Sequence, residues 1–270
     1  MLNRLCNNKW DSIDKDDLII FLQLPNTGGL AYCQALNLVY EDGYSRTDDN
    51  GFITEYGKDG MKAIAGNFSL GNKFYTSLKT PFNHITLIRE PIKRFVSMYY
   101  SIITDANHQY YDIVKDLPIE QLCLDDSLHY IYRNSLLMGT LPSVSFHSKP
   151  CGALQRAKFN INNFFTFFGL SENFEEFIDI SIHNLDWPKD LDYSSLNTIY
   201  EGPALEELNP KAISIISEHL KRDREIYEYA KTIYDERKEI LLPEKPTIVD
   251  MAPKATIWQK VKKVLFWKIF

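Results

Sequence analysis

The sequence predicts an α/β fold: a parallel sheet covered by helices on both faces, within a single domain. Three observations predict it. The short apolar runs "DLIIFLQL", "HITLI" and "FFTFFGL" have the length and hydrophobicity of strands buried on both faces. Segments of helical spacing separate them, and such alternation sets strands side by side in parallel. A chain of 270 residues with 44% hydrophobic and 24% charged residues can bury the core that such a sheet needs.

The first strand, Asp17 to Leu24, is bounded by charges on one side and by Pro-Asn-Thr-Gly-Gly on the other. A helix follows in "LAYCQALNLVY", where Leu30, Cys33, Leu36, Leu38 and Val39 fall mostly on one side. The stretch "EDGYSRTDDNGFITEYG" is polar and turn-rich and reads as a long loop. A short apolar segment, Ala63 to Ala65, ends at Gly66-Asn67. A clearer strand, His84 to Ile88, has its charged end at Arg89 and Glu90, and Pro91 suits the first turn of the helix "IKRFVSMYYSIIT".

Residues from about 119 to 160 are expected to be mainly helical, on the spacing in "LHYIYRNSLLMG" and "GALQRAKFNINN". A third buried strand is expected over Phe164 to Leu170, then a helix through "FEEFIDISI" with Asn173 and Glu176 at capping-box spacing. One long amphipathic helix from about Pro210 to Arg237 closes the domain, assigned to residues 1–245. Residues 246–270 read as a linker and a basic amphipathic tail. In it Ile257, Val261, Val264 and Leu265 share a helical face flanked by Lys260, Lys263 and Lys268. Residues 255–270 read either as a helix that contacts an anionic membrane surface or a protein partner, or as a terminal helix packed on its own domain.

A formal charge of −6 argues against a general nucleic-acid binder, because backbone affinity depends on clustered Lys and Arg. Any anion site must be local. Cys6, Cys33, Cys123 and Cys151 form no CxxC pair and have no His at ligand spacing, so neither a metal site nor a disulfide framework is expected. Nothing near the N-terminus has the apolar run of a signal peptide, and no stretch reaches the ~18 apolar residues of a membrane span. The expected location is cytoplasmic, with the tail a candidate contact to the inner face of a membrane.

Two strand-to-helix junctions carry the chemistry. At the first, "FLQLPNTGGLA", Gly28 and Gly29 allow close approach to amides at a helix N-terminus, and Thr27 adds a hydroxyl. The pattern GxxxxGK[ST] is absent, which disfavours an ordinary ATP-dependent kinase. At the second, "LIREPIKRFVSMYY", Arg89 at a strand end can hold a phosphate bidentately, and Ser97, eight residues on, adds a hydroxyl. Open α/β sheets bind ligands at those strand ends. Two anion sites at one sheet edge suggest a nucleotide with two separate phosphate groups.

The pair of junctions resembles the donor signature of carbohydrate sulfotransferases related to the heparan sulfate 2-O- and 6-O-sulfotransferases. There the patterns are close to PKTGGTS and RDPxxRFxSxYY; the second matches here at Arg89, Pro91, Arg94, Phe95, Ser97, Tyr99 and Tyr100. The likeness continues through "ALQRAKFNINNFFTFFGLSENFEEF" and "HLKRDREIYEYAKTIYDER", so it spans roughly Leu18 to Arg237. It implies a P-loop-like parallel sheet and 3′-phosphoadenosine 5′-phosphosulfate (PAPS) as sulfate donor, without a metal. Pro25, Asn26, Thr27, Gly28 and Gly29 would take the 5′ end, Arg89 and Ser97 the 3′-phosphate, and the acceptor would be a carbohydrate hydroxyl.

The chain departs from that family at two catalytic positions. Asn26 stands where the family has the lysine that stabilises the leaving phosphate, a change of the kind that costs on the order of 10²–10³ in rate. Leu30-Ala31 replaces the following Thr-Ser. Asn67 stands where related sequences have a general-base histidine, a contribution typically worth ~10²–10⁴. Other bases considered are His84, His129, Glu55 and Glu90; other cations are Lys73, Lys93 and Arg94; His108, His147, His183 and His219 carry no motif. Beside the sulfotransferase stand two alternatives: a catalytically impaired relative that binds nucleotide or glycan as a scaffold, and, more weakly, a small-molecule kinase.

Overall fold

A computed structural model describes residues 10, 13–47, 60–67, 70, 75, 78, 80–132, 150–191 and 202–242. Among them five strands form one sheet in the order β2-β3-β1-β4-β5, with every neighbouring pair parallel. The strands are β1 (Leu18–Leu22), β2 (Tyr44–Arg46), β3 (Ala63–Gly66), β4 (Phe82–Ile88) and β5 (Phe167–Leu170). Every residue of β1, β3, β4 and β5 is buried, as expected where helices cover both faces. The main helices are α1 (Gly29–Tyr40), α2 (Pro91–Thr104), α3 (Pro150–Phe164), α4 (Phe174–Asn184), α5 (Pro210–His219) and α6 (Lys221–Leu241).

Alternation along β5 sorts the helices onto the two faces. Phe167 meets Phe177 of α4 at 5.9 Å, and Tyr32 of α1 packs between Phe21 and Phe177 at 4.5 and 4.6 Å. Helices α1 and α4 therefore share one face, joined by a buried hydrogen bond between Tyr32 and Ser181. Phe168 points the other way, to Trp10 at 5.2 Å and to Tyr234 of α6 at 6.3 Å. Helix α3 lies against α6 through Lys158–Glu225 and Arg237–Asn162. Gly169 returns to the α4 face, where a Cβ would stand 2.4 Å from the Phe177 ring, so only glycine lets α4 approach this closely.

Several expectations need correction. The segment read as loop contains edge strand β2, and "FFTFFGL" forms its strand only from Phe167, because α3 runs on through Phe164. The capping box does not form: Asn173 has φ −122° and ψ 44°, outside the extended region a cap uses, and makes no side-chain cap bond. Glu176 instead accepts from Tyr234 and pairs with Lys238 on α6. The single closing helix is two, broken at Leu220, because its halves bury faces in different clusters. Ala212, Ile216 and Leu220 join Phe95, Val96 and Ile102 of α2, whereas Ile226, Ala230 and Ile233 join the core at the sheet.

Between 119 and 160 the described helices are Gln121–Leu124, His129–Tyr132 and α3. The tail 246–270, Glu55, Lys73, His147 and the His129 side chain lie outside the described residues. No helix among the described residues is long and apolar enough to cross a membrane.

Candidate functional site

The strand order puts β1 beside β4, yet the chain leaves β1 toward β2 at one edge and leaves β4 toward β5 at the other. Where connections diverge in this way, a crevice opens at the carboxyl ends of the two strands. The turn after β1 and Arg89 after β4 meet in that crevice, where Arg89 donates from Nη1 to the Asn26 carbonyl at 3.1 Å. Asn67 directly follows β3, whose Gly66 pairs in register with Leu22. Three strand ends thus bring Asn26, Asn67 and Arg89 to one edge.

The turn is built by side chains that hold its carbonyl groups. Asn26 has φ 59° and Gly28 has φ 82°, the left-handed region that asparagine tolerates better than most residues and glycine best of all. The Thr27 hydroxyl donates to the Leu24 carbonyl at 2.8 Å. The Ser171 hydroxyl, just past β5, lies 2.6 Å from the Thr27 carbonyl and 3.1 Å from that of Ile88. With Arg89 on Asn26, the carbonyls of Leu24, Asn26 and Thr27 each have a partner within the fold. The same turn leads into α1, whose first turn has no side-chain cap and no acidic residue. Amides at such an end attract anions.

Thr27 is 1% exposed and donates its hydroxyl proton to the Leu24 carbonyl, which braces the turn. Ser97 is also buried, at 1% exposure, and is not among the residues that line the cavity beside Arg89. That cavity, of about 280 Å³, is walled by Arg89, Lys93 and Val96 on one side and by the segment Gly202–Glu206 on the other. Lys93 and Val96, three residues apart in α2, lie on one side of that helix, and Arg89 precedes its N-cap Glu90.

The alternative bases are committed elsewhere. Glu90 caps α2 by accepting from the Lys93 amide at 2.8 Å, and its own amide donates to Glu172. His84 lies inside β4, buried and stacked on Phe165 at 4.4 Å. Its Nδ1 faces the Phe164 carbonyl at 3.0 Å and must donate, so Nε2 accepts from the Tyr75 hydroxyl at 2.9 Å. Burial holds its pKa down at about 4, and four strand residues, roughly 13 Å, separate it from the sheet edge. Arg94 packs inside the fold: it is 2% exposed, with Asp223 at 4.0 Å, and burial depresses its pKa against the pull of that carboxylate.

A second cavity, of about 450 Å³, lies on the outer side of α1 against β2. Gln34, Asn37, Tyr44 and Arg46 line it, and Leu30 carries it up to the glycine turn. Amide and guanidinium groups beside the Tyr44 ring suit a polyhydroxylated ligand. Among the described residues no group of three or more His, Cys, Asp or Glu side chains is placed to hold a metal ion.

No protein-family model matches the chain, and no curated protein does. Among solved structures it is similar to the mouse sulfotransferase SULT7A1, determined in complex with PAP, at 12% identity over 82% of this chain and 92% of that one, with TM-score 0.46. A sulfotransferase from Alicyclobacillus acidocaldarius is similar at 12% identity over 77% and 95%, with TM-score 0.43. Likenesses this slight leave the assignment to the site itself.

Proposed function

We propose that the protein is a sulfotransferase that moves a sulfuryl group from PAPS to a carbohydrate hydroxyl. One observation carries the reading: Arg89 joins the braced glycine turn to a cationic cavity at the switch point of the sheet. A donor with phosphate groups at both ends of a ribose needs two neighbouring anion sites. The 5′ end would lie on the amides of Asn26 to Gly29, and the 3′-phosphate on Arg89 beside the start of α2. The acceptor would reach the turn from the cavity under Leu30, passing Asn67 at the end of β3. Its oxygen would form the new bond to sulfur as the bond to the 5′-phosphate breaks, with the hydroxyl proton going to a base.

A second reading has its own observation. Asn26 and Asn67 are uncharged, and Glu90, His84 and Arg94 are occupied in the fold. On that reading the chain binds nucleotide or glycan as a scaffold, without turnover.

Calorimetric titration with 3′,5′-adenosine bisphosphate, followed by transfer of labelled sulfate to a glycan panel, tests both. Micromolar binding that Arg89→Ala abolishes, together with transfer, supports the enzyme. Binding without transfer to any acceptor supports the scaffold. If the wild-type protein does not bind the bisphosphate, the sulfotransferase reading fails and only a glycan-binding scaffold stands.

A further inference from the structure

The direction in which Arg89 points is set from the end of β5. Peptide units are planar, so a side chain at a strand end is aimed by the two peptide planes that flank its Cα. Before Arg89, the Ile88 carbonyl lies 3.1 Å from the Ser171 hydroxyl; after it, the Glu90 amide donates to Oε1 of Glu172 at 2.9 Å. The first contact constrains φ of Arg89 and the second constrains ψ. Glu172 is itself held, because its Oε2 accepts from the Tyr227 hydroxyl of α6 at 3.2 Å. Burial raises the pKa of Tyr227 and the charge of Glu172 raises it further, so the phenol keeps its proton and donates. Glu172 is exposed, yet each of its carboxylate oxygens accepts a directed bond, one from the strand end and one from α6.

We propose that Glu172 is a positioning residue for Arg89, and that by aiming it Glu172 sets how strongly the protein prefers a nucleotide with a 3′-phosphate to one without. The proposal rests on the sulfotransferase reading above, in which Arg89 meets that phosphate. The Glu90 amide stands at the N-cap of α2 and has no acceptor within the helix, and the Glu90 carboxylate is turned to the Lys93 amide. The bond to Glu172 is therefore what fixes the peptide plane after Arg89. A rotation of that plane swings the long Arg89 side chain, whose Nη1 donates to the Asn26 carbonyl at 3.1 Å. The glycine turn keeps its own braces at Thr27 and Ser171, so the loss falls on the 3′-phosphate. Charge and position act here with opposite signs. A carboxylate beside an anion site repels the ligand, so removing its charge tightens binding, whereas removing its bond to Glu90 weakens binding.

The test uses the full chain and two probes, 3′,5′-adenosine bisphosphate and adenosine 5′-monophosphate, titrated calorimetrically into wild type, Glu172→Ala and Glu172→Gln. A lost charge-assisted hydrogen bond that leaves Arg89 in line about one-tenth of the time lowers affinity about tenfold. Glu172→Ala is expected to cut the preference for the bisphosphate by about that factor while the monophosphate binds as before. Glu172→Gln keeps a carbonyl oxygen for the Glu90 amide and loses only the charge, so its preference should equal or exceed that of the wild type. The side chain is exposed, so neither change should unfold the protein. A preference that Glu172→Ala leaves intact or increases, or a loss shared equally by the two probes, would overturn the positioning role while leaving the sulfotransferase reading standing. Absence of the preference in the wild type would remove both.

Discussion

Ser171 offers the sharpest test of how the turn is held. Its hydroxyl lies 2.6 Å from the Thr27 carbonyl and 3.1 Å from the Ile88 carbonyl, in a position 8% exposed. One proton serves two acceptors, so a single group ties the turn after β1 to the end of β4. Ser171→Ala removes about 1 kcal/mol of net hydrogen bonding and leaves buried acceptors short, for a total of roughly 1–3 kcal/mol. In a domain of this size each kcal/mol moves Tm by about 2–4 °C, which predicts a fall of roughly 2–12 °C. The binding effect is separate. If the released turn spends most of its time with amides out of line, affinity for 3′,5′-adenosine bisphosphate drops by that populated fraction, about fivefold for each kcal/mol. Thermal unfolding followed by circular dichroism gives the first number and calorimetry the second, and Ser171→Thr, which keeps the hydroxyl, should recover both. A Tm that falls while affinity stays at the wild-type value would refute the reasoning, because the turn would then keep its shape without the tie.

His84 is held neutral in the fold, with its pKa near 4 against an ordinary 6.5, so above pH 6.5 it contributes no pH dependence. As pH falls from 6.5 to 4 the unfolded chain takes up a proton that the folded one refuses, and stability declines by roughly 3 kcal/mol before levelling off; His84→Phe should flatten that limb of a denaturation series. Asp223→Ala leaves the Arg94 charge buried without its carboxylate and should cost about 3–5 kcal/mol in chemical denaturation, whereas the double change Arg94→Met with Asp223→Leu should restore most of it. Asn26→Lys with Asn67→His should raise labelled-sulfate transfer by about 10²–10³ or more. The lysine would sit at φ 59°, at a stability cost of about 1–2 kcal/mol visible as a lower Tm; a rate that does not rise would show that the chain uses neither position for chemistry.

Much of the fold was legible because the decisive signals are local. Continuous apolar runs announce β1 and β4, and Gly28, Gly29 and Pro91 fix the two junctions by backbone restriction alone. Strand β2 was hidden because it is three residues long and polar in part, and only pairing with β3 makes it a strand. The break at Leu220 was hidden because helical periodicity continues across it; the destinations of the two halves differ, and destination is not a local property. Arg89 was legible from its strand end and Asn26 from its turn. Lys93 was considered only as a spare cation, because the wall that makes it a cavity residue comes from Gly202–Glu206, far along the chain.

An anion-binding turn draws on two attractions, fixed charge and aligned amide dipoles. At Asn26 the turn carries none of the first. The second depends on carbonyl groups being turned away and kept there, and Thr27, Arg89 and Ser171 do this for three of them. Dipoles fixed in this way need no reorganisation when charge develops, which is what gives preorganised donors their strength in a site shielded from water. Arg89 and Lys93 line the cavity, and on the sulfotransferase reading they would act there on charge that the donor carries equally before and during transfer. Such contacts tighten the ground state and the transition state alike, so they set affinity and leave the barrier unchanged. On the sulfotransferase reading, nucleotide affinity and turnover should therefore separate: binding would follow substitutions at Arg89, and rate would follow substitutions at Asn26 and Asn67.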